Sequence, residues 1–404
     1  GAEWIASAKI LMTDKLGFMY LGLGLASFFF MIYIIFSDIG QIKLGEPDEK
    51  PEFSTASWAA MLFCGGIGAS IMYWGCIEWA YYYLDPPFQL APGSEEAIRW
   101  AATYGIFHWG PIAWSIYLVP ALPIAYFFYV RKQPALKVSS ALMPVIGEAR
   151  SNGWTGKLVD ILFIFGLLGG GATTLGLAAP LITEGIHHLF GIPRDTLVQV
   201  LVLLACTVLF GYSAYMGMEK GIKVLSNINF WGAMGLLAFI LLAGPTIFML
   251  ETGLDSLGRM LSNFFVMATW AEPFGGYGSF KNTHFPQDWT IFYWAWWLVF
   301  APSMGLFVAR ISRGRTIKQM VVGSIFFGSM GCFLFFMILG NYGLSLQLSG
   351  KLDIVGMLQT DGAYQAIFAI LDQLPFSSVV IAAFTTLCLI FTATTFDSIS
   401  YILA

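Results

Sequence analysis

The chain has 404 residues, of which 57% are hydrophobic and only 11% charged, with a net charge of −4. A water-facing shell of this length needs more charge, so the composition excludes a secreted disulfide scaffold and a disordered regulator; the absence of a basic patch excludes a nucleic-acid partner. An all-α polytopic membrane protein in the lipid bilayer remains.

Nine apolar runs are long enough to cross ~30 Å of hydrocarbon at ~1.5 Å per residue. They lie at 16–36, 58–83, 101–129, 157–185, 196–214, 224–250, 289–309, 319–344 and 376–404. Their length indicates helices, because barrel strands alternate over about ten residues. The sequence opens on Gly1-Ala2-Glu3-Trp4 and closes still apolar, so it reads as truncated at both ends. With the 37–57 loop in the cytoplasm, the loops near 130–157, 213–223 and 310–318 join it, and those four hold 13 of the 20 Lys and Arg. The positive-inside rule favours that orientation in a cell membrane. In the connector 251–288, Leu254, Leu257, Leu261, Phe264 and Phe265 recur at helical intervals, which fits a surface-lying amphipathic helix or a packed outer loop. The cysteines form no C-x-x-C pair and read as apolar packing residues, and the four histidines form no H-E-x-x-H, so neither a metal site nor an enzyme is indicated.

Four segments carry the chemistry. In Phe63-Cys64-Gly65-Gly66-Ile67-Gly68-Ala69-Ser70, three glycines fall within one span. They permit either close helix packing or an unwound stretch with bare carbonyls and N–H groups. In Phe107–Tyr117, Trp114 and Tyr117 share a helix face, and a bend at Gly110-Pro111 brings Trp109 towards them; an interfacial aromatic belt is the alternative. In Trp289–Phe307, Tyr293, Trp297, Phe300, Met304 and Phe307 form a stripe of about four turns, longer than a lipid-facing belt requires, with Trp294 beside it. Thr392, Thr394, Thr395 and Asp397 lie deep in the last span, where oxygens suit a hard cation or bond back to their own helix. Lys220 and Lys223 begin the sixth span and read as side chains reaching the cytoplasmic face, with a fixed cation inside the core as the alternative.

The run from Trp289 to Arg315 resembles the signature of the betaine–choline–carnitine transporter family. Glu52–Trp58, Phe107–Tyr117 and Thr174–Ala178 are similar to that family too. The resemblance implies two five-helix repeats of inverted topology: a first over 58–250 and a partial second over 289–404, with the family's first span and its last two lacking a counterpart. It implies a substrate box of Trp109, Trp114, Tyr117, Trp294, Trp296, Trp297 and Phe300, with the N–H groups of Gly66, Ile67 and Gly68 facing a substrate carboxylate. Phe300 stands where relatives have Trp or Tyr. Ring faces are the best protein partners for a trimethylammonium group, which cannot donate a hydrogen bond.

For sodium, the resemblance implies the carbonyls of Cys64 and Ile67 and the oxygens of Phe391, Thr394 and Thr395, with Thr173, Thr174 and Met304 at a second site. Na⁺ is thus the coupling ion expected, no other cofactor is, and a homotrimer is left open. Sodium-independent carnitine exchangers lack the glycine stretch, but they carry a methionine like Met304 and a basic residue for which Lys223 is the candidate counterpart. Choline-type relatives place an aspartate where this chain has Ser70, which disfavours choline. The expected function is sodium-driven transport of a betaine- or carnitine-like osmolyte. A sodium-independent exchanger and a receptor that binds without transport are the alternatives.

Overall fold

The computed structural model describes residues 2–65, 68–133, 138–217, 221 and 223–403, with the side chains of residues 2, 64, 65 and 397–403 outside that description. The described residues are almost entirely helical, apart from an isolated bridge between Lys43 and Thr316. Among the described residues, eight helical stretches are long and apolar enough to cross a membrane: Gly17–Phe36, Glu95–Val130, Trp154–Phe190, Thr196–Gly217, Lys223–Ala243, Pro286–Ile311, Ile317–Leu348 and Ser377–Phe396. The second apolar run, 58–83, is divided between two shorter helices, α2 (Thr55–Gly65) and α3 (Ser70–Leu84), which follow α1 (Gly17–Phe36).

The third run is also interrupted. Helix α4 (Glu95–His108) is capped by Ser94, whose hydroxyl accepts the N–H of Ala97, and Glu95 and Glu96 complement its N-terminal dipole. Trp109 and Gly110 leave helical geometry, and α5 (Pro111–Ala125) restarts with proline at its first position, where no N–H is needed. Helix α6 (Trp154–Phe190) has 37 residues and so spans about 55 Å, which requires tilt or protrusion. It stops at Gly191 in the left-handed conformation.

Helices α7 (Thr196–Gly217) and α8 (Lys223–Ala243) follow. The sixth span therefore ends at Ala243, several residues before the expected 250. Pro245 lacks an N–H, and the chain turns at Gly244-Pro245. Helix α9 (Thr246–Ser262) then packs Met249, Gly253, Ser256 and Met260 inward and leaves Leu250, Leu254 and Leu261 exposed. The connector is thus helical as far as Thr269, with Leu254 and Leu261 on its outward face and Leu257 and Phe264 packed against the core.

Helix α10 (Phe292–Ile311) packs most extensively on α5. Small residues permit this approach: a Cβ at Gly305 would meet the backbone N of Ala121 at 2.9 Å. Helix α11 (Ile317–Phe335) opens with a capping box between Thr316 and Gln319. The last helix, α12 (Ser377–Leu403), lies against α6, α7 and α8.

The loops assigned to the cytoplasm meet. Leu44 N–H donates to the Arg315 carbonyl at 2.8 Å, and Gly314 N–H to the Leu44 carbonyl at 2.7 Å. Ion pairs Arg310–Glu52, Arg313–Glu49 and Lys132–Glu46 tie 46–52 to the segment after α5 and to the end of α10 and the turn that follows it. Lys223 places its ammonium 5.9 Å over Phe53 in the same region.

Candidate functional site

The break at Trp109-Gly110 creates the site. A helix leaves its last carbonyls without intrahelical donors. The Trp297 indole Nε1, arriving from α10, donates to the His108 carbonyl at 3.0 Å. This fixes the Trp297 ring at the junction of α4 and α5. Its centroid lies 4.9 Å from Trp109 in an edge-on contact, 5.8 Å from Tyr117 edge-on and 5.6 Å from Tyr293 stacked. Trp296 stacks on Trp297 at 5.3 Å, and its buried Nε1 has no acceptor among the described residues. Rings from the third and seventh runs thus converge on Trp297.

The other expected box residues are placed differently. Trp114 is buried behind Tyr117, 5.7 Å away, and presses on Gly328 of α11. Phe300 touches Trp296 at 6.4 Å, but its ring tip faces α6, where a Cβ at Gly170 would lie 2.7 Å from Cζ. Trp294 is fully buried on another side, against Phe107, His108 and Gly24 of α1. Trp294 lies only some 60° round the helix from Trp297, and the packing of α1 against it on that flank is what separates the two rings.

Glu78 does not stand out in the sequence; the available signal was a lone acid in an apolar helix. Its carboxylate is fully buried. Oε2 accepts the Trp109 indole N–H at 3.2 Å and the Tyr293 hydroxyl, while Oε1 accepts the Tyr82 hydroxyl. Tyr82 is 2.9 Å from His108 Nδ1, and His108 Nε2 is 3.0 Å from Thr290 Oγ1. The polar groups of Glu78, Tyr82 and His108 are thereby paired, as an apolar interior requires.

At the break in the second run, Gly66, Ile67 and the side chain of Cys64 lie outside the described residues. Gly68 adopts φ +51°, and a Cβ there would meet Thr395 Oγ1 of α12 at 2.7 Å. Thr395 and Thr394 donate to the Phe391 carbonyl at 3.0 and 2.9 Å. Thr394 Oγ1 also accepts Nδ2 of Asn229, on α8, at 3.1 Å. The two hydroxyls therefore differ: Thr395 borders the break and Thr394 binds α8. Thr173 and Thr174 both donate to the Gly170 carbonyl, at 2.7 and 3.2 Å, and Met304 is buried on α10, which packs on α6. The eleven residues of α2 hold Phe53, and with it Lys223, at the helix end opposite the break, about 16 Å along the axis. Among the described residues no cluster of three or more His, Cys, Asp or Glu could hold a metal ion.

The family model described as "BCCT, betaine/carnitine/choline family transporter" matches residues 1–404. The chain is 38% identical to the "Glycine betaine transporter OpuD" of Bacillus subtilis over 397 residues, 98% of this chain and 76% of that protein. It is 35% identical to a "Carnitine transporter" of Acinetobacter baumannii over 401 residues, 99% and 70% of the two chains. It is also 36% identical to the "Uncharacterized transporter YeaV" of Escherichia coli over 374 residues, 93% and 76%.

Proposed function

The chain belongs to the betaine/carnitine/choline transporter family, and on that premise we propose that it moves a trimethylammonium zwitterion of the betaine or carnitine kind across the cell membrane by alternating access, with Na⁺ as the coupling ion. The family is one of multi-pass membrane transporters, not enzymes. The carrying observation is the convergence of Trp109, Tyr117, Tyr293 and Trp297, brought from two spans onto one junction.

In the mechanism this implies, the rings hold the ammonium through their negative faces. The broken second run offers backbone N–H groups to the substrate carboxylate at the start of α3. The cation sits between the last carbonyls of α2 and the oxygens of Phe391 and Thr395, because hard ions want oxygen ligands. Moving α2 and α3 relative to α12 would open and close that ion site, coupling it to the substrate. Two features favour this over the exchanger: the glycine break is retained, and Lys223 sits at the far end of α2.

Uptake of labelled betaine, carnitine and choline into proteoliposomes, in Na⁺ and in K⁺, tests the reading. Betaine or carnitine should accumulate in Na⁺ and choline should compete poorly. Equal uptake in K⁺ promotes the exchanger, binding without uptake promotes the receptor, and a preference for choline sinks the substrate assignment.

A further inference from the structure

We propose that Glu78 is the resident counter-charge for the substrate's ammonium group, acting through the Trp109 indole and the Tyr293 phenol. It is a positioning and charge-setting residue that does not itself touch the substrate. The inference rests on the reading of Trp109 and Trp297 as the ammonium site.

Glu78 is fully buried, and three donors converge on it, the arrangement a carboxylate needs in an apolar interior. Among the described residues no lysine or arginine lies in ion-pair range of it; its neighbour in that range is His108, at 3.9 Å. Donors stabilise a buried anion without neutralising it. A cation arriving nearby therefore gains attraction that no lysine or arginine among the described residues has already consumed. Two of the three donors point at the box, because the Trp109 and Tyr293 rings both touch the Trp297 ring. An indole N–H held by a carboxylate is polarised so that electron density moves into the ring, and the ring face then binds a cation more strongly. The same bonds fix the two rings in place. Tyr82 and His108 extend the network to Thr290, so the carboxylate is tied to the second, third and seventh runs.

The consequence is a preference for charge over shape. A trimethylammonium head should be favoured over the neutral tert-butyl head of 3,3-dimethylbutanoate, which has the shape of betaine. The test is competition against labelled betaine by unlabelled betaine and by 3,3-dimethylbutanoate, on the purified full chain and on Glu78→Gln, which keeps the size and an acceptor but removes the charge. Betaine affinity should fall about tenfold in the variant while that of the isostere stays within about threefold, so the preference collapses. Should Glu78→Gln fail to fold, Trp109→Phe keeps a ring but removes the N–H, and it should reduce the preference in the same direction. Equal losses for both competitors would make Glu78 a purely structural residue and overturn the proposal. So would an isostere that competes with neither protein while betaine binds both alike. A wild-type chain that binds neither betaine nor carnitine overturns the site reading along with this inference, whereas tight betaine binding with an unchanged preference overturns this inference alone.

Discussion

Trp297 gathers its neighbours because its N–H is anchored to a carbonyl that the α4–α5 break releases. Leucine at this position would stay apolar but lose the ring quadrupole and the anchor. Trp297→Leu should weaken binding of a trimethylammonium substrate by ~2 kcal/mol, about thirtyfold. Trp231→Leu is the control, since Trp231 is 71% exposed on α8 and should change binding little. Comparable small effects in a binding titration would indicate an aromatic belt instead of a box. Ser70→Asp tests the other end of the substrate. Ser70 is the first residue of α3, where a new carboxylate would repel the zwitterion's own, so competition should shift towards choline.

Between elements, the box depends on surfaces that carry no side chain. A Cβ built at Gly328 of α11 would fall inside the Trp114 indole. Gly328→Ala should displace that ring, lower stability by about 1–3 kcal/mol and weaken substrate binding through Tyr117. Thermal unfolding and a binding titration read both effects, and an unchanged protein would mean that α11 and α5 are not in this contact. The contact of α12 with the break in the second run carries the sodium prediction. Thr395→Ala removes the hydroxyl beside Gly68, whereas Thr394→Ala removes one engaged with Asn229. Thr395→Ala should therefore reduce the Na⁺ dependence of substrate affinity more than Thr394→Ala does, by linkage. A flat dependence on Na⁺ in the wild type removes sodium from the mechanism.

Across the whole molecule, the loops assigned to the cytoplasm form a strap between the start of α2 and the end of α10. Its exposed ion pairs are individually weak, worth about 0–1 kcal/mol. The Glu46 backbone N–H and Arg313 hold the Glu49 carboxyl below its ordinary range. A depressed carboxyl contributes stability above its unfolded value and loses it as pH falls through the lowered one, so this pair does not respond to pH near neutrality. The strap's strong point is Arg315. It is buried 4.0 Å over the Trp58 ring, and Nη2 donates to the Phe53 carbonyl at 3.0 Å. Arg315→Ala should lower the unfolding temperature well beyond Arg313→Ala, because it removes a cation–π contact and leaves a buried carbonyl without its donor. Equal shifts would show that the strap is held by its surface charges.

Run length and composition alone specify a helical membrane chain with nine apolar runs, because crossing hydrocarbon imposes a minimum length that can be counted. Local chemistry marks the breaks as well: Gly65-Gly66 and Gly110-Pro111 weaken a helix wherever they fall. The Trp-rich run of the seventh span was specific enough to indicate the family. The direction each ring faces was not legible. A helix apolar on all sides has no period that separates its protein-facing side from its lipid-facing one. The spacing places Trp297 in the stripe and Trp294 beside it, but only the packing of α1 on one flank and α5 on the other turns Trp297 towards Trp109 and Trp294 towards Phe107. Glu78 stayed hidden for a related reason. Its partners Tyr82, Trp109 and Tyr293 come from three segments, so a single buried acid acquires its meaning only when α3, the α4–α5 junction and α10 are folded together.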